Sequence, residues 1–181
     1  MAKIIMNDLV LKVCITGEGG IGKTTMLHRL ISGRFMPYAR MTIGTDLLTH
    51  TVFIGDYRVI FQLWDFAGEK RFRFFLPNYL KGSSAILLCY DLSQYSTFKN
   101  LDEWYDLINN NAEDSMLYLI GTKKDLVDKE HFNGNELIEK WLNKKNFQRN
   151  YECSSVSGEN IDDIFKTLAS DLIEKRLKKN L

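Results

Sequence analysis

Gly17-Glu18-Gly19-Gly20-Ile21-Gly22-Lys23-Thr24 matches the pattern G-x-x-x-x-G-K-[ST] in full. It follows an apolar strand-like run and opens a helix-like one, which is where such a loop has to sit to work. The chemistry it offers is anion binding. Glycines let the backbone turn so that successive N–H groups point inward, and the start of the following helix adds positive potential. Lys23 would reach the β- and γ-phosphates of a nucleotide, and the Thr24 hydroxyl would bind Mg²⁺. Average Gly and Lys usage makes a chance match in a chain this long on the order of 1%, so the signal is strong. Alone, it does not choose between ATP and GTP, or between a kinase and a switch.

Three later segments narrow the choice. Trp64-Asp65-Phe66-Ala67-Gly68-Glu69-Lys70 follows an apolar strand that ends in an acid. Asp65 in that place could hold Mg²⁺ through a water, and Gly68 leaves a backbone N–H able to meet a γ-phosphate; a plain polar turn is the other reading. Gly121-Thr122-Lys123-Lys124-Asp125 follows the apolar run Met116–Ile120. A carboxylate accepts two hydrogen bonds from the N1–H and N2–H₂ of guanine, and adenine offers no such pair. Asp125 would therefore set the base, with the aliphatic stem of Lys123 laid over the ring. Glu152-Cys153-Ser154-Ser155-Val156 follows the last strand. Backbone N–H groups of that turn could meet the guanine O6, and its serines could orient Asp125. The last two segments are weak in isolation and gain their weight from their order in the chain.

These groups need a scaffold, and the apolar pattern supplies one. Strand-like runs alternate with stretches of helical period, as in an α/β sheet protein. Leu9–Thr16 reads as a buried strand and Lys23–Ile31 as a helix. Thr45–Ile54 and Tyr57–Asp65 flank Gly55-Asp56 and read as an antiparallel hairpin. Ser84–Tyr90, Met116–Ile120 and Arg149–Cys153 suit parallel strands buried on both faces. Phe98, Leu101, Trp104, Tyr105 and Ile108 share one helical face; Leu137, Ile138, Trp141 and Leu142 form a second stripe. Ile161, Ile164, Phe165, Leu168 and Leu172 form a third, with Asn160 and Asp163 placed as N-cap and N3 partner. Ser32–Gly44 and Phe66–Asn78 are long for α/β connections and carry Arg, Gly and aromatics, so they are candidates for moving parts.

Composition closes off other classes. The chain of 181 residues, 45% apolar with 2 Pro, is expected to form one domain with a real core. Lys+Arg 24 against Asp+Glu 23 leaves a formal charge of +1 and no reason to invoke nucleic acid. Cys14, Cys89 and Cys153 lie in apolar runs without metal spacing and read as reduced core thiols in a cytoplasmic protein. The longest apolar run, Ala85–Tyr90, is far short of the ~20 residues a spanning helix needs. The first residues do not read as a signal peptide, and the basic end, Glu174–Leu181, has no Cys to carry a lipid. His28, His50 and His131 have no metal-ligand spacing and read as structural or surface residues.

In this order and spacing the four segments resemble those of a Ras-superfamily small GTPase, over nearly the whole chain. Thr42-Ile43-Gly44, Leu63–Phe72 and Ser157–Ile161 look most like the Rab branch, in a divergent form for which microbial or archaeal relatives are candidates. The resemblance implies a P-loop NTPase three-layer fold, with a six-stranded mixed sheet, one antiparallel edge strand and five helices. It implies a GTP-binding molecular switch that hydrolyses GTP to GDP and phosphate, slowly on its own, with Mg²⁺. Thr24, Thr42 and Asp65 would serve the metal, while Lys23, Thr42, Gly68 and Glu69 would serve catalysis. Gly17, Gly19, Gly20, Ile21, Gly22 and Thr25 would surround the phosphates. Thr122, Lys123, Asp125, Ser154, Ser155 and Val156 would surround the base, with Phe35 edge-on to it; a core residue closing the first helix is the other reading of Phe35. Ser32–Gly44 and Phe66–Asn78 would be the two switches, read by effectors, exchange factors and activating proteins. A monomer, without nucleic acid or lipid anchor and at most indirectly at a membrane, completes the expectation.

Several positions depart from the family pattern. Glu69 stands where a water-positioning Gln is usual; Gln both accepts and donates, whereas ionised Glu only accepts. Its charge is repelled by phosphate, yet it is the stronger base for water. Thr122 replaces Asn and can still tie the phosphate loop to the base loop. Val156 replaces Lys, Phe66 replaces Thr, and Ala39 stands where an aromatic commonly covers the phosphates. Arg40 is a candidate built-in arginine finger, and Gly19 leaves room for one from outside. Glu69 and Phe66 also support a nucleotide-bound scaffold without turnover. An ATP-dependent phosphotransferase would leave Thr122–Asp125 unexplained.

Overall fold

The structure, a computed structural model, describes residues 7–37, 41–127 and 134–179. Ala39, Arg40 and His131, the first six residues and the last two lie outside the described residues. Six strands, β1 (Asn7–Thr16), β2 (Thr45–Ile54), β3 (Tyr57–Phe66), β4 (Ala85–Asp91), β5 (Met116–Thr122) and β6 (Arg149–Glu152), form one sheet in the order β2-β3-β1-β4-β5-β6. Only β2 is antiparallel, paired with β3 from Thr45↔Phe66 to Ile54↔Tyr57 across a two-residue turn in which Gly55 takes φ +53. The remaining neighbours run parallel, so the ends of β1, β3, β4, β5 and β6 all open on one edge of the sheet. In such sheets that edge is where ligands bind.

Alternation along the central strands explains the two cores. Val13, Ile15, Leu87 and Cys89 face one side with Met26 and Leu27 of α1 (Lys23–Ser32) and Phe165 and Leu168 of α6 (Ile161–Lys179). Cys14, Ile86, Leu88 and Leu119 face the other, with Leu80 of α2 (Leu76–Leu80), Trp104 and Ile108 of α4 (Leu101–Asn109) and Ile138 of α5 (Gly134–Leu142). Every residue of β4 and β5 is buried, as continuous apolar runs between two helix layers should be. Cys14, Cys89 and Cys153 are free and buried, and burial pushes the Cys14 and Cys153 thiols up to about 12. Among the described residues no helix is long and apolar enough to cross a membrane.

Local details differ from the sequence reading. The stripe from Phe98 to Ile108 is not one helix: α3 (Tyr95–Lys99) stops at Asn100 before α4 begins. Thr97 ties α3 back to the strand end, where its Oγ1 accepts from the Asp91 N–H at 3.0 Å. Leu137 is exposed rather than part of the buried stripe that Ile138 carries. Asn160 starts α6 with φ +60, but its Nδ2 donates to the Glu152 carbonyl at 2.7 Å instead of capping with Asp163. Part of Phe66–Asn78 is regular: a 3₁₀ turn, Lys70–Phe75, runs directly into α2.

One polar cluster fastens α6 to the sheet. Arg149 donates to both oxygens of Asp171, at 2.7 and 2.9 Å, and the Tyr118 hydroxyl donates to Asp171 Oδ2 at 2.6 Å. The Arg149 guanidinium holds the Asp171 carboxyl below the usual carboxylate range. The unfolded chain therefore takes up a proton there first. The contribution is complete above about pH 4 and is lost as pH falls through the lowered native value. Asp171→Asn is expected to cost about 1–3 kcal/mol in urea unfolding at neutral pH. The same variant should show a shallower loss of stability than the native chain on acidification to about pH 3.

Candidate functional site

A cleft of 430 Å³ opens on the sheet edge described above. At one end lies the phosphate loop, held by backbone contacts. A Cβ on Gly17 would overlap the Cys89 carbonyl, and one on Gly68 would overlap the backbone of Glu18 and Gly19. Lys23, in the first turn of α1, is 5% exposed, and its Nζ donates to the carbonyls of Gly17 at 3.0 Å and Glu18 at 2.6 Å. Burial pushes the ammonium below the ordinary lysine range, and Asp65 is the largest opposing influence. A buried cation at the start of a helix suits an anionic ligand.

Three oxygens meet beside it. Thr24 Oγ1 donates to Asp65 Oδ2 at 2.5 Å and lies 2.8 Å from Thr42 Oγ1, which donates to the same oxygen at 3.2 Å. Asp65 is fully buried; burial raises its carboxyl, with the Thr24 hydrogen bond and Lys23 opposing. Its other oxygen, Oδ1, is buried without a partner among the described residues. One carboxylate, two hydroxyls and an orphaned acceptor form a hard-oxygen donor set that fits Mg²⁺. Among the described residues no cluster of three His, Cys, Asp or Glu competes as a metal site.

The other end of the cleft is built from the ends of β5 and β6. Ser154 Oγ donates to Asp125 Oδ1 at 2.5 Å, which fixes the carboxylate. The Thr122 hydroxyl lies 2.5 Å from the Ile21 carbonyl oxygen and 2.9 Å from that of Tyr90. It thus ties the base loop to the phosphate loop. Lys123, at φ +57, reaches back to the Gly20 carbonyl at 2.9 Å and to Asp91 Oδ2 at 2.7 Å. Ser155, Val156 and Phe35 stand on the cleft wall, and Phe35 is 38% exposed there rather than sealed in the core below α1.

Most of the residues singled out from sequence are brought together: Gly19, Gly20, Gly22, Lys23, Thr24, Thr25, Thr42, Gly68, Glu69, Thr122, Lys123 and Asp125 all line the cleft. Gly17, Ile21, Asp65 and Ser154 stand behind its wall and act through backbone, carboxylate or hydroxyl contacts. Pro37, Met41 and Leu126 join the lining without any sequence signal. Asp91 was missed because the apolar run appeared to end one residue earlier, although an acid closing a strand is the same signal that marked Asp65. Glu18 and Arg73 were also missed. Arg73 pairs with Glu18 at 2.5 Å and with Glu103 at 2.9 Å, over the ring of Trp104 at 4.4 Å. Trp104 Nε1 donates to the same Glu18 oxygen at 3.1 Å.

Comparison with known proteins matches residues 12–174 to the Ras family. The Ras-related protein SEC4 of Candida albicans is 35% identical over 180 residues, covering 96% of this chain and 82% of that protein. SEC4 of Saccharomyces cerevisiae is 34% identical over 175 residues, covering 96% and 79%. The Ras-related protein Rab7 of Drosophila melanogaster is 32% identical over 170 residues, covering 91% and 81%.

Two expectations arise from the phosphate end. In Asp65→Asn the orphaned acceptor loses its charge, so removing Mg²⁺ with a chelator should weaken nucleotide binding about tenfold or more in the native chain and little in the variant; titration calorimetry reads the difference. Gly68→Ala has no room beside Glu18 and Gly19 and should push the loop outward. Hydrolysis is then expected to fall about 10²-fold, while the far-UV spectrum is unchanged and single-turnover assay reads the loss.

Proposed function

We propose the following division of labour for a chain that belongs to the Ras family, resembles its Rab members, binds GTP as a molecular switch and hydrolyses it to GDP and phosphate. Lys23 and the amides of Gly19–Thr25 hold the β- and γ-phosphates. Thr24, Thr42 and Asp65 hold Mg²⁺, which when bound neutralises phosphate charge. The Gly68 N–H meets the γ-phosphate, and Glu69 orients the attacking water. Asp125 selects guanine, with Lys123 and Phe35 against the ring and Thr122, Ser154, Ser155 and Val156 closing the base end. The observation that carries this reading is one cleft with Lys23 and the Thr24–Thr42–Asp65 cluster at one end and a carboxylate held by Ser154 at the other.

The reaction itself balances simply. A water oxygen bonds to the γ-phosphorus as the bond from that phosphorus to the β–γ bridging oxygen breaks. The electron pair stays on GDP, and the proton given up by the water leaves with inorganic phosphate. Loss of the γ-phosphate removes what Gly68 and Thr42 were holding, and both loops are released. Family members are read by regulators and effectors through these regions. In this chain Met41, Ile43, Phe74 and Phe75 are exposed around them, and that apolar rim supports recognition by effector, exchange and activating proteins around 35–45 and 71–79. Buried free thiols support a cytoplasmic setting. The match over 12–174 supports reading 1–181 as one G domain. A scaffold without turnover and an ATP-dependent phosphotransferase are both disfavoured by the family.

Nucleotide titration and single-turnover hydrolysis test the assignments together. Asp125→Ala should lower GTP affinity about 10²-fold, the worth of two charge-assisted hydrogen bonds, and leave the weak binding of ATP unchanged. Glu69→Gln should change the hydrolysis rate without changing GTP affinity. A native rate for ATP equal to that for GTP would remove Asp125 as the base selector.

A further inference from the structure

We propose that Arg71 is a positioning residue for hydrolysis: paired with Glu69, it offsets the charge of a carboxylate that would repel the γ-phosphate and leaves that carboxylate able to orient water. The inference rests on the reading of Glu69 as the water-orienting residue. Glu69 lies on the cleft wall, and its Cγ would be 4.0 Å from a Cβ on Gly19, so it stands over the phosphate loop. An ionised carboxylate there accepts hydrogen bonds but donates none, and its charge opposes the phosphate oxygens.

The structure supplies a countercharge two residues along. Arg71 Nε lies 2.6 Å from Glu69 Oε2. The contact engages one carboxylate oxygen, and Oε1 can accept from water. Arg73 of the same turn is committed to Glu18 and Glu103, and Lys23 of α1 is buried against the carbonyls of Gly17 and Glu18. The Arg71 guanidinium also lies over the Phe72 ring at 4.8 Å, a second contact that restricts it. As the water oxygen bonds to the γ-phosphorus and the bridging bond breaks onto GDP, the pair adds no net charge beside the phosphates. Its effect is modest because Arg71 is 69% exposed, and exposed pairs are weak and screened by salt.

A double-mutant cycle in the full chain tests this, reading single-turnover GTP hydrolysis and GTP affinity for native, Arg71→Ala, Glu69→Gln and the double variant. Arg71→Ala should slow hydrolysis about three- to fivefold at low salt with GTP affinity unchanged. The effect should shrink as salt is raised. In the Glu69→Gln background the same change should do nothing, since no carboxylate remains to be neutralised. Equal slowing in both backgrounds, no slowing in either, or a loss confined to GTP affinity would each overturn the role of Arg71. If Glu69→Gln itself leaves the rate untouched, the reading of Glu69 falls and Arg71 with it. A rate that moves with Glu69→Gln but not with Arg71→Ala removes Arg71 alone.

Discussion

The phosphate loop is held from two sides by contacts between main chains. Gly17 backs onto the carbonyl of Cys89 at the middle of the sheet, and Gly68 lies against Glu18 and Gly19 with no space for a side chain. Close-packed main chain has little compressibility, so a shift of one segment has to be met by the other. The geometry of the cleft follows from this constraint. Lys23 is drawn onto the carbonyls of Gly17 and Glu18, and the segment after β3 begins against the loop.

Charge is concentrated at this junction without being fully satisfied. Lys23 and Asp65 are both buried, each offsetting part of the effect of burial on the other, and Asp65 Oδ1 has no partner among the described residues. Such an arrangement is stabilised by a ligand that brings phosphate oxygens to the lysine and a cation to the carboxylate. Thr42 joins it from the residues just before β2, through its hydroxyl contacts to Thr24 and Asp65. Under the proposed function, a segment fastened so lightly would respond to the presence of the γ-phosphate.

The two ends of the cleft are also coupled. Thr122 bridges to Ile21, and Lys123 bridges to Gly20, so the loop after β5 is tied to the loop after β1. The hydroxyl of Thr122 meets this need without the larger amide common in the family. On the other flank two arginines of one turn have different duties. Arg73 is half-enclosed over Trp104 and anchors the turn to Glu18, whereas Arg71 stays in solvent beside Glu69.

Much of this was legible in the sequence because the signals are local. The Gly17–Thr24 spacing, the acid at position 65, the Thr122–Asp125 segment and the apolar strand runs each depend on neighbours a few residues away, and the strands reappear within a residue or two of their expected bounds. The break at Asn100, the exposure of Leu137 and the side chain of Asn160 turned toward Glu152 depend on which surfaces are covered. Arg73 finding Glu18 and Trp104, and Lys123 finding Asp91, join residues far apart in the chain. Sequence alone therefore determined the kind of chemistry and its order along the chain, since backbone turns and periodicity encode those directly. Only the tertiary structure decided which charges neutralise one another around the phosphates, because distance in space, not separation in sequence, sets the strength of a Coulomb interaction.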